Sequence, residues 1–272
     1  MRLDTFFVEK VWGVESLPPL FPEAEGKRIG EIWFDPPAEL PDLLVKYIFT
    51  SQKLSVQCHP SDTQTTKAGT GKHGKEECWL VIAAEEGAQV GIGFTQNIDS
   101  DTIRAAAIDG SIETLLAWHD VKVGDFFSIP ANTVHAIGGG VTIIEIQQNS
   151  DITYRLYDYG RARELHLKEG VAVASGKKFD PEARRYVPET SSLTLIDGPH
   201  FRVDQIAGSP RAKQRQAYPA NLLVIPRAGE IEVGASTIRP GECALAVNID
   251  EVGFQAESVC LVTTVREEGA RA

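Results

Sequence analysis

In the segment LSVQCHPSD, Ser55, Gln57 and His59 alternate with Leu54, Val56 and Cys58. The two-residue period of a strand puts the three polar side chains on one face. Burying that row without partners costs about 1–3 kcal/mol for each unsatisfied group, so something polar must meet it. Glu77, in GKEECWLVI, heads another apolar run. In GDFFSIPANTVH, Gly124 and the Pro130 to Asn132 turn reverse the chain, so that His135 enters a new strand facing inward. Asn132 suits that turn because Asn, like glycine, reaches the left-handed conformation. One carboxylate, one amide oxygen and two imidazoles make a mixed oxygen and nitrogen donor set suited to zinc or manganese, with room for water or substrate. A second reading stands beside this one: Gln57, His59 and Glu77 pair with one another in a polar core network, and His135 is a hydrogen-bonded core histidine.

Positioning these residues requires strands, and most of the sequence supplies them. Runs such as LLVKYIF from Leu43, KLSVQCH from Lys53, CWLVIAA from Cys78, FFSIP from Phe126 and VTIIEIQ from Val141 are punctuated by Gly, Pro, Asn and Asp. That pattern predicts a β-sandwich or barrel. From Asp101 to Trp118, by contrast, Ile103, Ala106, Ala107, Ile112, Leu115 and Leu116 recur at helical spacing, with a break near Asp109 and Gly110. The segment RARELHLKEGVAVASG also reads as helical, and FDPEARRYVPETSS as a linker. Strand patterning resumes at LTLIDGPHFRVDQIAG and predicts a second, smaller β unit, so the chain divides into residues 1–185 and 186–272.

A chain of 272 residues, 42% hydrophobic, can bury a sizeable core. No run approaches 18 apolar residues, and the start MRLDTFFVEKVWG mixes charges into its apolar residues, which predicts a cytoplasmic protein with no membrane partner. Cys58, Cys78, Cys243 and Cys260 form no CxxC pair and suit reduced thiols. A net charge of −11 excludes a nucleic-acid backbone binder, which needs a contiguous basic surface. A small anion can still be held where a metal and one or two cations focus positive potential in a cleft.

The glycine, proline and histidine of GDFFSIPANTVH resemble the second cupin motif, with Asn132 at a position usually taken by glycine. LSVQCHPSD, GKEECW, VKVGDFFSIPANTVHAIGGG and EIQQNSDITYRLYDYGR, in that order, resemble successive signature blocks of the type I mannose-6-phosphate isomerases, particularly the short bacterial form. KVWG and IGEIW near the start are similar too, and the likeness runs from about Lys10 to His166 before weakening to a general two-cupin layout. It departs from the family at Cys58, where Val is common, at Glu76, where Thr or Pro is usual, and in a short segment between Pro60 and Gly74.

The resemblance implies a mainly β fold of two cupin-type jelly-roll barrels, with a short helical excursion in the first and a helical linker between them. It implies one divalent metal ion, zinc in first place and manganese as the alternative, on Gln57, His59, Glu77 and His135. Lys75 matches a family lysine at the site, Arg155 an arginine assigned to substrate, and Glu145 a carboxylate proposed for proton transfer. Ser55 and Lys46 match groups that contact the phosphate and line the pocket. The implied activity is interconversion of mannose 6-phosphate and fructose 6-phosphate, with a sugar phosphate as the small-molecule partner. In the C-terminal unit, STIRPGECALAVNIDEVGF resembles a cupin turn, yet Asn248 to Glu251 offer no histidine, so that unit is expected to be metal-free. Three rival readings are a metal-binding cupin acting on another sugar phosphate, an iron cupin acting on dioxygen, against which Gln57 and the Glu145 and Arg155 blocks speak, and a sugar-binding cupin without turnover.

Overall fold

Strand runs that are apolar at every position must be covered on both faces, whereas runs with alternating polar residues have one face left for chemistry. Both kinds occur in the computed structural model, which describes residues 1–22 and 26–266. The protein is mainly β. A seven-stranded sheet runs in the order Thr5–Val14, Ile29–Phe34, Leu43–Phe49, Val141–Gln148, Glu77–Ala84, Asp125–Ile129 and Arg184–Tyr186. Every residue of Leu43–Phe49 is buried, because this central strand is covered on both sides.

One face of the large sheet meets a five-stranded sheet, ordered Tyr154–Tyr157, Val56–Cys58, His135–Ile137, Gln89–Phe94 and Leu116–Asp120. Ile48, Trp79, Phe127 and Ile143 from the large sheet share a core with Val90, Ile92 and Ile137 from the smaller one. The other face carries Tyr47, Leu80, Phe126 and Ile144, which share a core with Leu195, Val203, Leu223 and Leu261. These last residues belong to a second five-stranded sheet, Leu193–Asp197, Phe201–Ala207, Val259–Val265, Leu222–Ala228 and Ala244–Ala246. A three-stranded sheet of Ser236–Ile238, Ile231–Val233 and Val252–Phe254 packs on it around Val224, Ile231 and Val262.

The helical excursion forms as Ser100–Asp109 and Ile112–Leu115, divided at Gly110, whose φ of 85° ends the first helix in the left-handed region. Its expected end is different: Leu116–Asp120 is a strand, because Leu116 and Trp118 pair with Phe94 and Gly91. The helix expected over residues 161–176 is confined to Leu167–Val173. Upstream of it, Arg161 and Arg163 both turn back to Asp158, each at 2.6 Å, and hold the chain in a loop. The expected linker is partly structured as well, since Arg184–Tyr186 pairs with Asp125–Phe127. In the Lys53 to His59 run only Val56–Cys58 is regular strand.

The short segment after Pro60 folds as a helix, Asp62–Ala68, with a capping box between Ser61 and Gln64. All four cysteines are free and buried. No helix among the described residues is long and apolar enough to cross a membrane.

Candidate active site

Glu77 lies at the start of its strand, directly across from Gln147 on one side and Ile129 on the other. Gln57 pairs with His135 across the facing sheet, and with Arg155 on its other side. Antiparallel register therefore brings residues far apart in sequence to one point. His59 Nε2 is 3.6 Å from Glu77 Oε2, and His135 Nε2 is 3.4 Å from Glu77 Oε1. All three side chains are buried, and one donor atom from each lies within 4.8 Å of the others.

Carbonyl oxygens fix both rings. His59 Nδ1 is 2.9 Å from the Ile152 carbonyl, and His135 Nδ1 is 2.9 Å from the Thr133 carbonyl. A carbonyl only accepts, so each Nδ1 carries the proton and each Nε2 turns its lone pair toward Glu77. The turn before His135 has the expected form: Asn132 has a φ of 74°, and its amide donates to the His59 carbonyl at 3.2 Å and to Gln64 Oε1 at 2.6 Å. The same turn that places His135 thus also ties down His59.

Electrostatics favour the state a metal requires. Burial holds both imidazoles below the usual histidine range, aided at His59 by Lys75 and opposed at His135 by Glu77, so both are neutral at pH 7. Burial acts to raise the Glu77 carboxyl, but the Lys75 ammonium more than offsets this and keeps it ionised. Lys75 is likewise pushed down by burial and pulled up further by Glu77 and Glu145, so it stays charged. Its ammonium is 2.5 Å from Glu77 Oε2 and 3.1 Å from His59 Nε2. Glu77 Oε1, buried, has no hydrogen-bond partner among the described residues. An orphaned carboxylate oxygen beside two neutral imidazole nitrogens fits a divalent cation. Gln57 needs one adjustment to join them: its amide nitrogen is 3.4 Å from His135 Nε2 while its oxygen accepts from Ser55 Oγ at 3.1 Å, so the amide must turn over for the oxygen to ligate.

Above this cluster opens a cavity of about 340 Å³, lined by Ser55, Gln57, Lys75 and Glu77 together with Lys46, Glu145 and Arg155. Glu145 accepts from Trp79 Nε1 at 3.0 Å and pairs with Lys46 at 3.1 Å. Arg155 donates from Nη1 to the Glu164 carbonyl at 2.7 Å, and its Nε is buried without a partner among the described residues. The structure brings all nine residues singled out from sequence to one place. It adds Lys10, Trp12, Glu31, Trp33, Asp151 and Arg163 to the cavity wall. Trp33 Nε1 donates to Glu31 at 2.6 Å, and the Lys46 ammonium lies 4.6 Å from the Trp33 ring centre. The available signal for the first four of these was KVWG and IGEIW, where Lys10 and Trp12, and Glu31 and Trp33, stand at alternate positions of a strand.

Neutral imidazoles and a carboxylate on the inner face of paired β-sheets, beside a cavity lined by lysines, arginines and carboxylates, describe a β protein with a candidate metal site. Known proteins narrow that class. The chain is 36% identical over 220 residues to the mannose-6-phosphate isomerase of Streptococcus mutans, covering 76% of this chain and 68% of that protein. It is 34% identical over 225 residues to mannose-6-phosphate isomerase ManA of Bacillus subtilis, covering 78% and 66%. These matches span about two thirds of the length of both curated relatives. The crystal structure of the mannose 6-phosphate isomerase from Bacillus subtilis shares the fold, with a TM-score of 0.74 over 96% of this chain and 98% of that chain at 23% identity. No protein-family profile matches the chain. On the extent and identity of these alignments, the chain belongs to the mannose-6-phosphate isomerase family.

Proposed function

We propose that the protein is a metal-dependent aldose–ketose isomerase that interconverts mannose 6-phosphate and fructose 6-phosphate through a cis-enediol. The observation that carries this reading is the Glu77 carboxylate, whose two oxygens each face a neutral imidazole nitrogen and whose Oε1 has no hydrogen-bond partner among the described residues, at a cavity lined by lysines, arginines and carboxylates. Gln57, His59, Glu77 and His135 would hold the ion, two imidazole nitrogens and two oxygens that suit zinc in first place and manganese as the alternative. A metal bound there supplies Lewis acidity to the sugar oxygens.

The rest of the work falls to the chain. Glu145 lies two residues along its strand from Gln147, the cross-strand partner of Glu77, which is about 6.6 Å of strand. A hexose lying between them brings C1 and C2 within reach of the Glu145 carboxylate, which takes the proton from one carbon and returns it to the other. Trp79 and Lys46 hold that carboxylate in place for the task. Arg155 lines the cavity from the strand beside Gln57, its guanidinium suited to the enediolate or the phosphate. Lys75 balances Glu77, and Ser55 and Lys46 complete the polar lining for the phosphate-bearing end.

The two pairs of sheets correspond to two cupin-type jelly rolls, residues 1–185 with the metal and residues 186–272 without one, the second acting as a structural backing to the first. An assay of chelator-treated protein with mannose 6-phosphate, with and without added zinc or manganese, tests the reading. Fructose 6-phosphate should form only with metal; its absence under all conditions, with another sugar phosphate converted instead, would reassign the substrate.

A further inference from the structure

The cavity beside the candidate metal site is lined by Lys10, Lys46, Lys75, Arg155 and Arg163, and these cations are not equally matched. Each lysine has a carboxylate partner: Lys10 has Glu31 at 3.5 Å, Lys46 has Glu145 at 3.1 Å and Lys75 has Glu77 at 2.5 Å. Arg163, by contrast, shares the single carboxylate of Asp158 with Arg161, and Arg155 makes no ion pair among the described residues. Burial, Arg163 and Arg161 hold the Arg155 pKa below the usual arginine range, and Asp158 and the exposed Glu164 oppose them only in part. Asp151, the remaining carboxylate of the wall, is exposed and pairs with neither arginine. Positive charge is therefore in surplus at the arginine end of the cavity and balanced at the lysine end.

The chain also fixes where that charge points. Tyr159, with a φ of 53°, turns the backbone after the strand Tyr154–Tyr157, and Arg161 Nη2 donates to the Lys53 carbonyl at 2.8 Å, tying the loop to the run that carries Ser55. Arg163 grips Asp158 through Nε and Nη2, both at 2.6 Å, a side-on fork that sets the plane of the guanidinium. Its Nη1 is left on the other edge, without a partner among the described residues. Arg155 spends Nη1 on the Glu164 carbonyl and leaves Nη2 without one. Unlike Arg155 Nε, neither of these two nitrogens is sealed from solvent.

We propose that Arg163 and Arg155 together hold the phosphate of the substrate, Arg163 through Nη1 and Arg155 through Nη2. The assignment rests on the sugar-phosphate reading above and deepens it, adding Arg163 and fixing the end of the cavity that takes the phosphate. A phosphate monoester carries about 1.5 to 2 negative charges at pH 7 and offers three acceptor oxygens. Surplus guanidinium charge meets it directly, whereas a buried lysine already paired would have to abandon its carboxylate. The sugar then extends along the cavity toward Glu145.

Calorimetric titration of the metal-loaded protein with inorganic phosphate, which needs no turnover, tests the proposal. The parent should bind one phosphate per chain saturably, and Arg163→Met should weaken it about ten-fold or more, as expected for loss of a charge-assisted hydrogen bond. Arg163→Gln, which keeps a donor for Asp158, should show the same loss and serves if Arg163→Met fails to fold. Lys178→Met, a change at an exposed lysine outside this cavity, should bind as the parent does. With mannose 6-phosphate, the Arg163 variants should raise KM more than they lower kcat, because the contact is to a part of the substrate that does not react. Phosphate binding that depends on Arg163 in a protein without isomerase activity would support the phosphate site while removing the proposed reaction. No saturable phosphate binding, unchanged affinity in the folded Arg163 variants, as for phosphate held by the metal alone, or an equal loss in Lys178→Met would each overturn the assignment.

Discussion

His59 and His135 are pinned through Nδ1 by carbonyl groups, so removing either ring deletes a pre-aimed nitrogen donor rather than a mobile one. In His59→Ala or His135→Ala the purified protein should lose its bound divalent metal by elemental analysis; full metal in both variants would move the site elsewhere. Glu145→Gln keeps shape and the Trp79 contact but removes basicity, so metal should remain while turnover falls by roughly 10² to 10⁴. Deuterium uptake from solvent into the sugar should slow in step, and parent-rate isomerisation in this variant would exclude Glu145 as the base. Arg155→Lys should also be damaging despite preserving charge, because an ammonium cannot reproduce the directed guanidinium edge; unimpaired kcat/KM would reduce Arg155 to a structural cation. Ser55, Gln57 and His59 were legible as one row because polar groups at every second position of an apolar strand demand partners, and the structure brings His59 together with Glu77 and His135. The spacing of Glu31 and Trp33 puts them on one face of their strand, but that this face meets the site cannot be told from sequence alone.

At the scale of elements, agreement was best where one local rule dominates. The strand Leu43–Phe49 has the expected bounds because burial on both faces makes its apolar run unbroken but for Lys46, whose charge is met by Glu145. The turn at Asn132 followed from its residue types. By contrast, residues 161–166 read as helical and form a loop, because helical periodicity carries no information about Asp158, the tertiary partner that captures Arg161 and Arg163. The Asn132 turn offers a test of how the site is held. Asn132→Val should destabilise the protein by about 1–2 kcal/mol from left-handed strain alone, plus the lost side-chain hydrogen bonds. Asn132→Gly should lose only the hydrogen bonds, and denaturant unfolding of the two variants separates the contributions; equal losses would show that the backbone conformation is unstrained.

For the molecule as a whole, the large sheet is shared, with the candidate site on one face and the C-terminal sheet on the other. A second β unit was evident in the strand pattern, but a shared core cannot be read from either segment because each apolar position is consistent with an internal partner. Leu223, 1% exposed in that shared core, reports on the coupling. Leu223→Ala should cost about 2–5 kcal/mol and lower a single cooperative thermal transition; two separate transitions, only one of them shifted, would show that the halves fold independently.

The most direct test joins the metal site to the reaction. Protein stripped of metal and restored in steps with zinc should gain mannose 6-phosphate isomerase activity in proportion to bound metal, levelling off at about one ion per chain, as expected for a single four-residue site. Full turnover in the stripped protein, or bound metal at Glu77 with no turnover at any loading, would contradict it.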